Sequence, residues 1–329
     1  MKYVPDLSLQ SIFRMRPEGP RRIGGLPIAE LDFIAGNYRK AGVAVARSAV
    51  MSFARASGAT CHDAAGLLVG AAAHVPRFDH APLSGSLRGL LLEAAATNLL
   101  QRSQDLSLWP WTNDGNRLTI TEDSGVAPDG SVTATRLVSA AGNGLHRVMQ
   151  MHAPTLGTSY TVSVYLKAAG TRYVYVNCSS MLNARLAVDL TTGAYVSTGP
   201  GPFTVTALPN GWWRVALTGV AAVTTNGVYL QANTSLFAGD QAFAGDGSSG
   251  FYAWGAQLET GASASSYVAT AGAAATRAAD LAGLLGITAT CTVTLTYDDL
   301  SSETRDAQNV SPGWWPSLAR PRLRALVLR

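Results

Sequence analysis

Between residues 97 and 270 the chain is a succession of short runs in which apolar residues alternate with polar or aromatic ones: YTVSVYLKA, RYVYVNC, ARLAVDL, FTVTALP, WWRVALTGV, GVYLQANT and FYAWGAQLE. A period of two belongs to a strand with one buried face. The runs are separated by PDGS, AAGT, TTGA, PNG, TTNG and GDGSSG, all rich in residues that tolerate turn conformations. Many short strands at regular spacing, with no helix-period segment among them, predict an all-β fold of the jelly-roll β-sandwich type. The chain has 33 glycines and only 14% charged residues, which suits short strands joined by tight turns.

The flanks differ. Residues 1–85 open on RMRPEGPRRIGGLP and continue with short pieces such as LDFIAGNYR and VMSFARAS. A segment so rich in proline and glycine builds little core of its own, so residues 1–85 are expected as an extended N-terminal anchoring region. Residues 86–283 then form the sandwich, with the Ala-rich stretch 269–283 as a partly helical connector. Residues 284–329 supply one more strand, ATCTVTLTYDD, and a small C-terminal β tail ending in SPGWWPSLARPRLRALVLR.

The net charge of +4 sits at the chain ends: residues 1–60 hold nine Lys/Arg against four acids. No reading element accompanies them, so nucleic-acid binding is not expected; the arginines are either solvated or dock on a neighbouring protein. Cys61, Cys178 and Cys291 lack metal or disulfide spacing and read as core side chains or free thiols. No apolar run approaches the length of a membrane span, and MKYVPDLSLQ lacks the apolar region of a secretory signal. A soluble chain without membrane insertion is expected.

Alternation sorts the strands into two sets. Val162, Val164, Leu166, Val174, Val176, Cys178, Val228, Leu230 and Ala232 form the apolar one. Opposite them stand Tyr165, Lys167, Tyr173, Tyr175, Asn177, Tyr229, Gln231 and Asn233, which line one concave surface if the strands are neighbours. Rings that pack on the C–H face of a sugar, beside amides of fixed direction, are the equipment of glycan recognition. The plainer alternative is a solvated sheet face.

In NGWWRVALTG, Trp213 falls with Val215 and Leu217 in the core set, and Trp212 with Arg214 on the polar face. There Trp212 stacks on a sugar, covers a sheet edge or meets another subunit. Trp109 and Trp111, flanking Pro110 in a loop, are further contact candidates, whereas Trp254 reads as core, and Trp314 and Trp315 as fastening the tail to its own domain or to a neighbouring chain. Catalytic signals are weak. GDGSSG precedes a strand rather than a helix and is a turn; no serine has GxSxG surroundings; the five histidines show no metal spacing. Asp189, Asp240, Asp246 and Glu259 could serve a hydrolase only if the fold opposed two of them across a groove. A non-enzyme is expected.

The order SFARASGAT, HDAAG, VPRFDH, LRGLLLEAAATNLLQRSQDLSLWPWT, APDGSVTATRL, GTSYTVSVYLKA, LPNGWWRVALTG, GDGSSGFYAWGAQLETGASASSYVAT and TRAAD resembles a family of tailed-phage structural proteins and related gene-transfer-agent proteins. In these a jelly roll similar to a carbohydrate-binding module is displayed on a tail fibre or head spike. The match runs from about Leu31 to Asp280. The resemblance implies a virion or particle-surface protein, a homo-oligomer, held by its N-terminal region to other particle proteins and binding host cell-surface polysaccharide. A polysaccharide depolymerase and a purely structural decoration protein are the alternatives. No cofactor is required; jelly rolls of this type often carry a structural calcium, for which Asn98, Asp129 and Glu259 are the candidate ligands, with turn and cap residues as the alternative reading.

Overall fold

The computed structural model describes residues 25–329; the start of the N-terminal region, with Lys2, Arg14, Arg16, Arg21 and Arg22, lies outside the described residues. The centre is a jelly-roll β-sandwich of two six-stranded sheets. The first sheet runs in the order Trp111–Asn113, Arg147–His152, Asn226–Asn233, Tyr173–Cys178, Ala184–Asp189 and Tyr195–Thr198. The second runs Leu118–Gly125, Ala134–Ser139, Gly250–Thr260, Ser159–Ala169, Trp212–Val220 and Phe203–Ala207. The apolar set fills the space between them: Val162, Val164, Leu166, Val174, Val176, Val215, Leu217, Val228 and Leu230 all belong to one buried cluster. Each such side chain contributes roughly 1.5 to 3 kcal/mol, and a one-residue slip would turn all of them outward. Trp213 packs against this core and donates its indole N–H to the Leu190 carbonyl at 2.8 Å.

One strand breaks the alternation. In Gly250–Thr260, Ala253 faces the core and Trp254 the outside, yet Ala256 and Leu258 face the core again. The register against Ser159–Ala169 shifts between the Tyr165–Trp254 and Ser163–Gln257 pairs, and Gly255 between them has φ 61°. A glycine in the left-handed region carrying one extra residue is a β-bulge.

The flanks form a second body, not an arm and a separate tail. Ala29–Asp32 lies between Asn37–Lys40 and Arg322–Leu328, and Arg322–Leu328 pairs in turn with Ala289–Tyr297 in an eight-stranded sheet. Leu31, Phe33 and Val50 share a core with Leu90, Leu295, Leu323 and Leu326, and Trp314 and Trp315 pack on that same core. The N-terminal pieces lack enough apolar surface alone; the C-terminal strand supplies the other half. The stretch 269–283 is extended rather than helical, since Ala275–Arg277 pairs with Ala96–Asn98 and Leu281–Leu284 with Met51–Ala54. All three cysteines are buried and free.

Where the two bodies meet, five charged side chains leave the solvent together. Asp280 accepts from Arg55 Nη1 at 3.0 Å and also pairs with Arg77, and the side chains of all three are fully buried. Glu93 meets Arg77 at 2.8 Å and Arg277 at 3.6 Å, while its backbone N–H donates to Asp280 Oδ2 at 2.8 Å. Carbonyls of Ser57, Ala72, Thr60 and Ala94 take further guanidinium donors. Burial by itself would raise the Glu93 carboxyl; the charges of Arg77 and Arg277 outweigh it and hold that group below its ordinary value. Asp79 behaves likewise, its desolvation overcome by the hydrogen bond from His62 and the charge of Arg322.

Removing one partner of such a cluster strands a buried charge. Asp280→Asn is expected to lower unfolding free energy by about 3 to 5 kcal/mol in urea denaturation; a loss under about 1 kcal/mol would contradict the assignment. Because the folded-state pKa values of Glu93 and Asp79 lie below the unfolded ones, the unfolded chain binds more protons in acid. Their stabilisation is therefore present above about pH 4 and lost as pH falls through and below that value. Urea midpoints measured between neutral pH and pH 3 should drop, and should drop less in Glu93→Gln; a flat profile would contradict the sign.

Candidate functional site

The predicted polar-aromatic residues do not line one surface. Tyr165, Lys167, Trp212 and Arg214 sit on the outward face of the second sheet, whereas Tyr173, Tyr175, Asn177, Tyr229, Gln231 and Asn233 sit on the outward face of the first. The sandwich core lies between the two sets, so the strands share one design but face opposite ways.

On the second sheet this face is largely walled over. Tyr165, Trp212 and Trp254 form a buried cluster with Tyr267, Leu208 and Leu68. Trp212 donates its indole N–H to the Val126 carbonyl at 3.1 Å, and Trp254 donates its own to Thr133 Oγ1 at 3.0 Å. Trp212 is therefore mortar between the sheet and the chain that crosses it. Arg214 lies 5.3 Å from the centre of the Tyr165 ring, and Lys167 is half-buried. Burial pushes the Tyr165 phenol up, with Arg214 opposing. Trp111 departs from its expected exposure: it is a strand residue of the first sheet, its ring in the sandwich core and its N–H on the Arg102 carbonyl at 2.6 Å. Trp109, 77% exposed, remains on the surface just before that strand.

The first sheet keeps an open row. Antiparallel registers align Thr112, Met149, Tyr229, Asn177, Arg185 and Thr198 across its six strands. All are partly or fully exposed. In the adjacent row Gln231 lies under the 234–242 loop: Asn233 Nδ2 donates to the Phe237 and Gly239 carbonyls at 2.9 and 3.1 Å, and the Gln231 amide lies within reach of Asp240 and Gln241. Tyr175, beside Gln231, is buried, hydrogen-bonded to Arg185 and close enough to Asp240 to feel its charge. Tyr175 is pushed up to about 12 by burial, against the opposing charge of Arg185. Guanidinium groups also hold the partly exposed rings, Arg147 over Tyr229 at 5.2 Å and Arg172 over Tyr173 at 5.1 Å. Arg147 is tied to Asp114 at 2.7 Å, and Arg172 to Asp189 at 2.7 Å.

Met149 and Arg185 were missed by sequence reasoning. Arg185 was legible, since it alternates with Leu186 and Val188; Met149 was masked because its strand also sends Gln150 inward, where it accepts from the Gln101 backbone N–H at 2.8 Å.

The carboxylates considered for hydrolysis all have protein partners. Hydrogen bonds from Arg172 hold the Asp189 carboxyl well below its usual range, and those from Ser249 and Ser248 do the same for Asp246 in its turn. Asp240 is shared with Arg147, and Glu259 is buried, accepting from Gln257 and the Ser265 backbone.

The calcium candidates do not compose a site. Asn98 donates to the Ala256 and Val268 carbonyls and accepts from the Leu100 and Leu258 backbone, which occupies its amide fully. Asp129 closes a turn onto Ser131. Among the described residues no group of three or more His, Cys, Asp or Glu side chains could hold a metal ion.

Neither known protein-family models nor curated proteins match this chain. Among solved structures, the chain is similar to the CBM22-1 and GH10 modules of Clostridium thermocellum endo-1,4-β-D-xylanase 10B, solved with xylohexaose, at 15% identity and a TM-score of 0.29; 54% of this chain is covered and 30% of that one. It is also similar to a CBM4 structure at 13% identity and a TM-score of 0.25, covering 44% of this chain and 86% of that one. This chain thus spans less than a third of the xylanase structure's length. At these identities and scores the likeness carries no argument about ligand or activity.

The 234–242 loop near Tyr175 makes a prediction. Asn233→Ala removes both bonds that hold the loop down and should cost about 1 to 3 kcal/mol. With the loop loosened, the Tyr175 phenol, read by phenolate absorbance against a Tyr175→Phe reference, should titrate lower, toward the ordinary value of about 10. An unchanged titration would show that the loop is not the cover.

Proposed function

We propose that the protein is a non-catalytic glycan-binding protein that works on the outward face of the first sheet. The observation that carries the reading is the register-aligned row of Tyr229, Asn177, Arg185 and Thr198, in which a ring, an amide, a guanidinium and a hydroxyl stand side by side and partly exposed. The guanidinium of Arg147 lies over the partly exposed Tyr229 ring, and such a ring packs on the C–H side of a sugar. Asn177 places an amide, and Arg185 a guanidinium that also hydrogen-bonds Tyr175, at the fixed spacing of a sheet. Exposed Trp109, two residues before the edge strand that begins this row, is a further aromatic candidate.

The wider reading rests on the resemblance carried by the ordered segments from about Leu31 to Asp280. It makes the chain a surface protein of a phage-like particle, a spike or fibre, that attaches to host polysaccharide. Such a protein acts as a homo-oligomer, because a shallow row binds each chain weakly and many copies are needed for firm attachment.

The test is a glycan array followed by titration of the full chain with the best polysaccharide. Tyr229→Ala and Asn177→Ala should each weaken binding by about tenfold, the scale of one aromatic or charge-assisted contact, while polymer length stays unchanged after incubation. Binding unaffected by either substitution would refute the site. Shortened polymer would refute the non-catalytic role.

A further inference from the structure

The outward face of the second sheet is not sealed everywhere. Toward its edge strand Phe203–Ala207, between the sandwich and the second body, lies a cleft of about 290 Å³. Its walls carry three arginines (Arg88, Arg214 and Arg322), His62 and four threonines, with prolines and alanines between them and no carboxylate among the lining residues.

Two of the arginines are already matched. Arg88 pairs with Asp298, its Nε at 2.9 Å, and Arg322 with Asp79 at 2.5 Å. Arg214 is not matched. Its Nη2 donates to Ser163 Oγ at 3.1 Å and to the Ser265 carbonyl at 2.7 Å. Its Nε is buried without a partner, and among the described residues no carboxylate lies within salt-bridge distance of it. His62 Nε2, in the same wall, is likewise buried and unpaired. Asp79 and Asp298 stand behind the wall, each taken up by its own arginine, and Asp79 also faces His62. A guanidinium with five donors, only one nitrogen hydrogen-bonded and no carboxylate of its own is set for an anion.

The remaining lining narrows the class of anion. Thr204 and Thr206 are exposed on the edge strand, and no hydrogen bond of their side chains occurs among the described residues. Hydroxyls of this kind match a ligand that has hydroxyls of its own, and the intervening apolar side chains match C–H groups. The volume is at the small end for ligand sites and suits one ring.

From these features we infer that the cleft binds a single carboxylated sugar residue of the uronic-acid type, its carboxylate on Arg214 and its hydroxyls toward Thr204 and Thr206. The site lies on the opposite side of the sandwich from the Tyr229 row, so it does not depend on that reading.

Glucuronate, glucose as its neutral counterpart, and a short glucuronate oligomer are titrated into the full chain by calorimetry. Glucuronate should bind at least tenfold more tightly than glucose. Arg214→Gln should weaken glucuronate binding tenfold or more, the scale of a lost charge-assisted pair. Thr206→Trp, a surface change on an edge strand, should block the cleft without touching the core, which keeps the test intact if Arg214→Gln folds poorly. Tyr229→Ala should leave glucuronate binding unchanged, which separates this site from the open row. Equal or tighter binding of the oligomer identifies a unit of a polymer as the ligand, and binding of the monomer alone identifies a free sugar acid; either supports the site. Glucuronate binding no tighter than glucose, or unaffected by Arg214→Gln and Thr206→Trp alike, overturns it.

Discussion

Asp280 and Glu93 hold the guanidinium groups of Arg55, Arg77 and Arg277 out of water at the seam between the sandwich and the second body. Five charges cannot leave solvent unless each finds opposite charge and hydrogen bonds at fixed positions. That requirement pins four distant pieces of chain to one point, from residue 55 near the start to the segment of Arg277 and Asp280 beyond the sandwich. Once they are pinned, the hairpin around Leu68 and the 263–270 segment lie across the second sheet, and Tyr165, Trp212, Trp254 and Tyr267 close beneath them. The aromatic groups of that face are thus consumed by assembly.

The same constraint leaves the first sheet as the place where aromatic and amide groups still meet solvent in a row. The 234–242 loop narrows it further by taking Gln231 and Asn233, and Tyr175 beside them is buried, so what remains is a strip across the sheet rather than a broad surface. The cleft near Arg214 is a remainder of a different kind, where two bodies meet without filling the gap between them.

The strands were legible because a period of two is written directly in runs such as Val162, Val164 and Leu166, and the same parity correctly set Trp213 inward and Trp212 outward. Parity says which face a residue takes and nothing of what covers that face. Trp212 is buried by segments some 85 and 145 residues away in sequence, around Val126 and Leu68, which no local pattern announces. Nor does parity say which sheet a strand joins, so Tyr165 and Tyr175 read as neighbours although the core separates them. The bulge at Gly255 is a one-residue insertion with no compositional mark. The charged cluster was hidden for the opposite reason: Arg55, Arg77, Glu93, Arg277 and Asp280 all lie in the segments SFARASGAT, VPRFDH, LRGLLLEAAATN and TRAAD that carry the family resemblance, yet a lone charge in sequence is ordinarily solvated. Those segments build the joint between the two bodies.

Hydrogen–deuterium exchange of the full chain, with and without the polysaccharide that scores highest on the glycan array, bears most directly on the claim that assembly spends the polar groups of one sheet and frees a strip on the other. Slower exchange is predicted in strands 147–152, 173–178, 184–189 and 226–233, with the eight-stranded sheet of the second body unchanged. Protection confined to that second body, or spread evenly over both, would contradict the account.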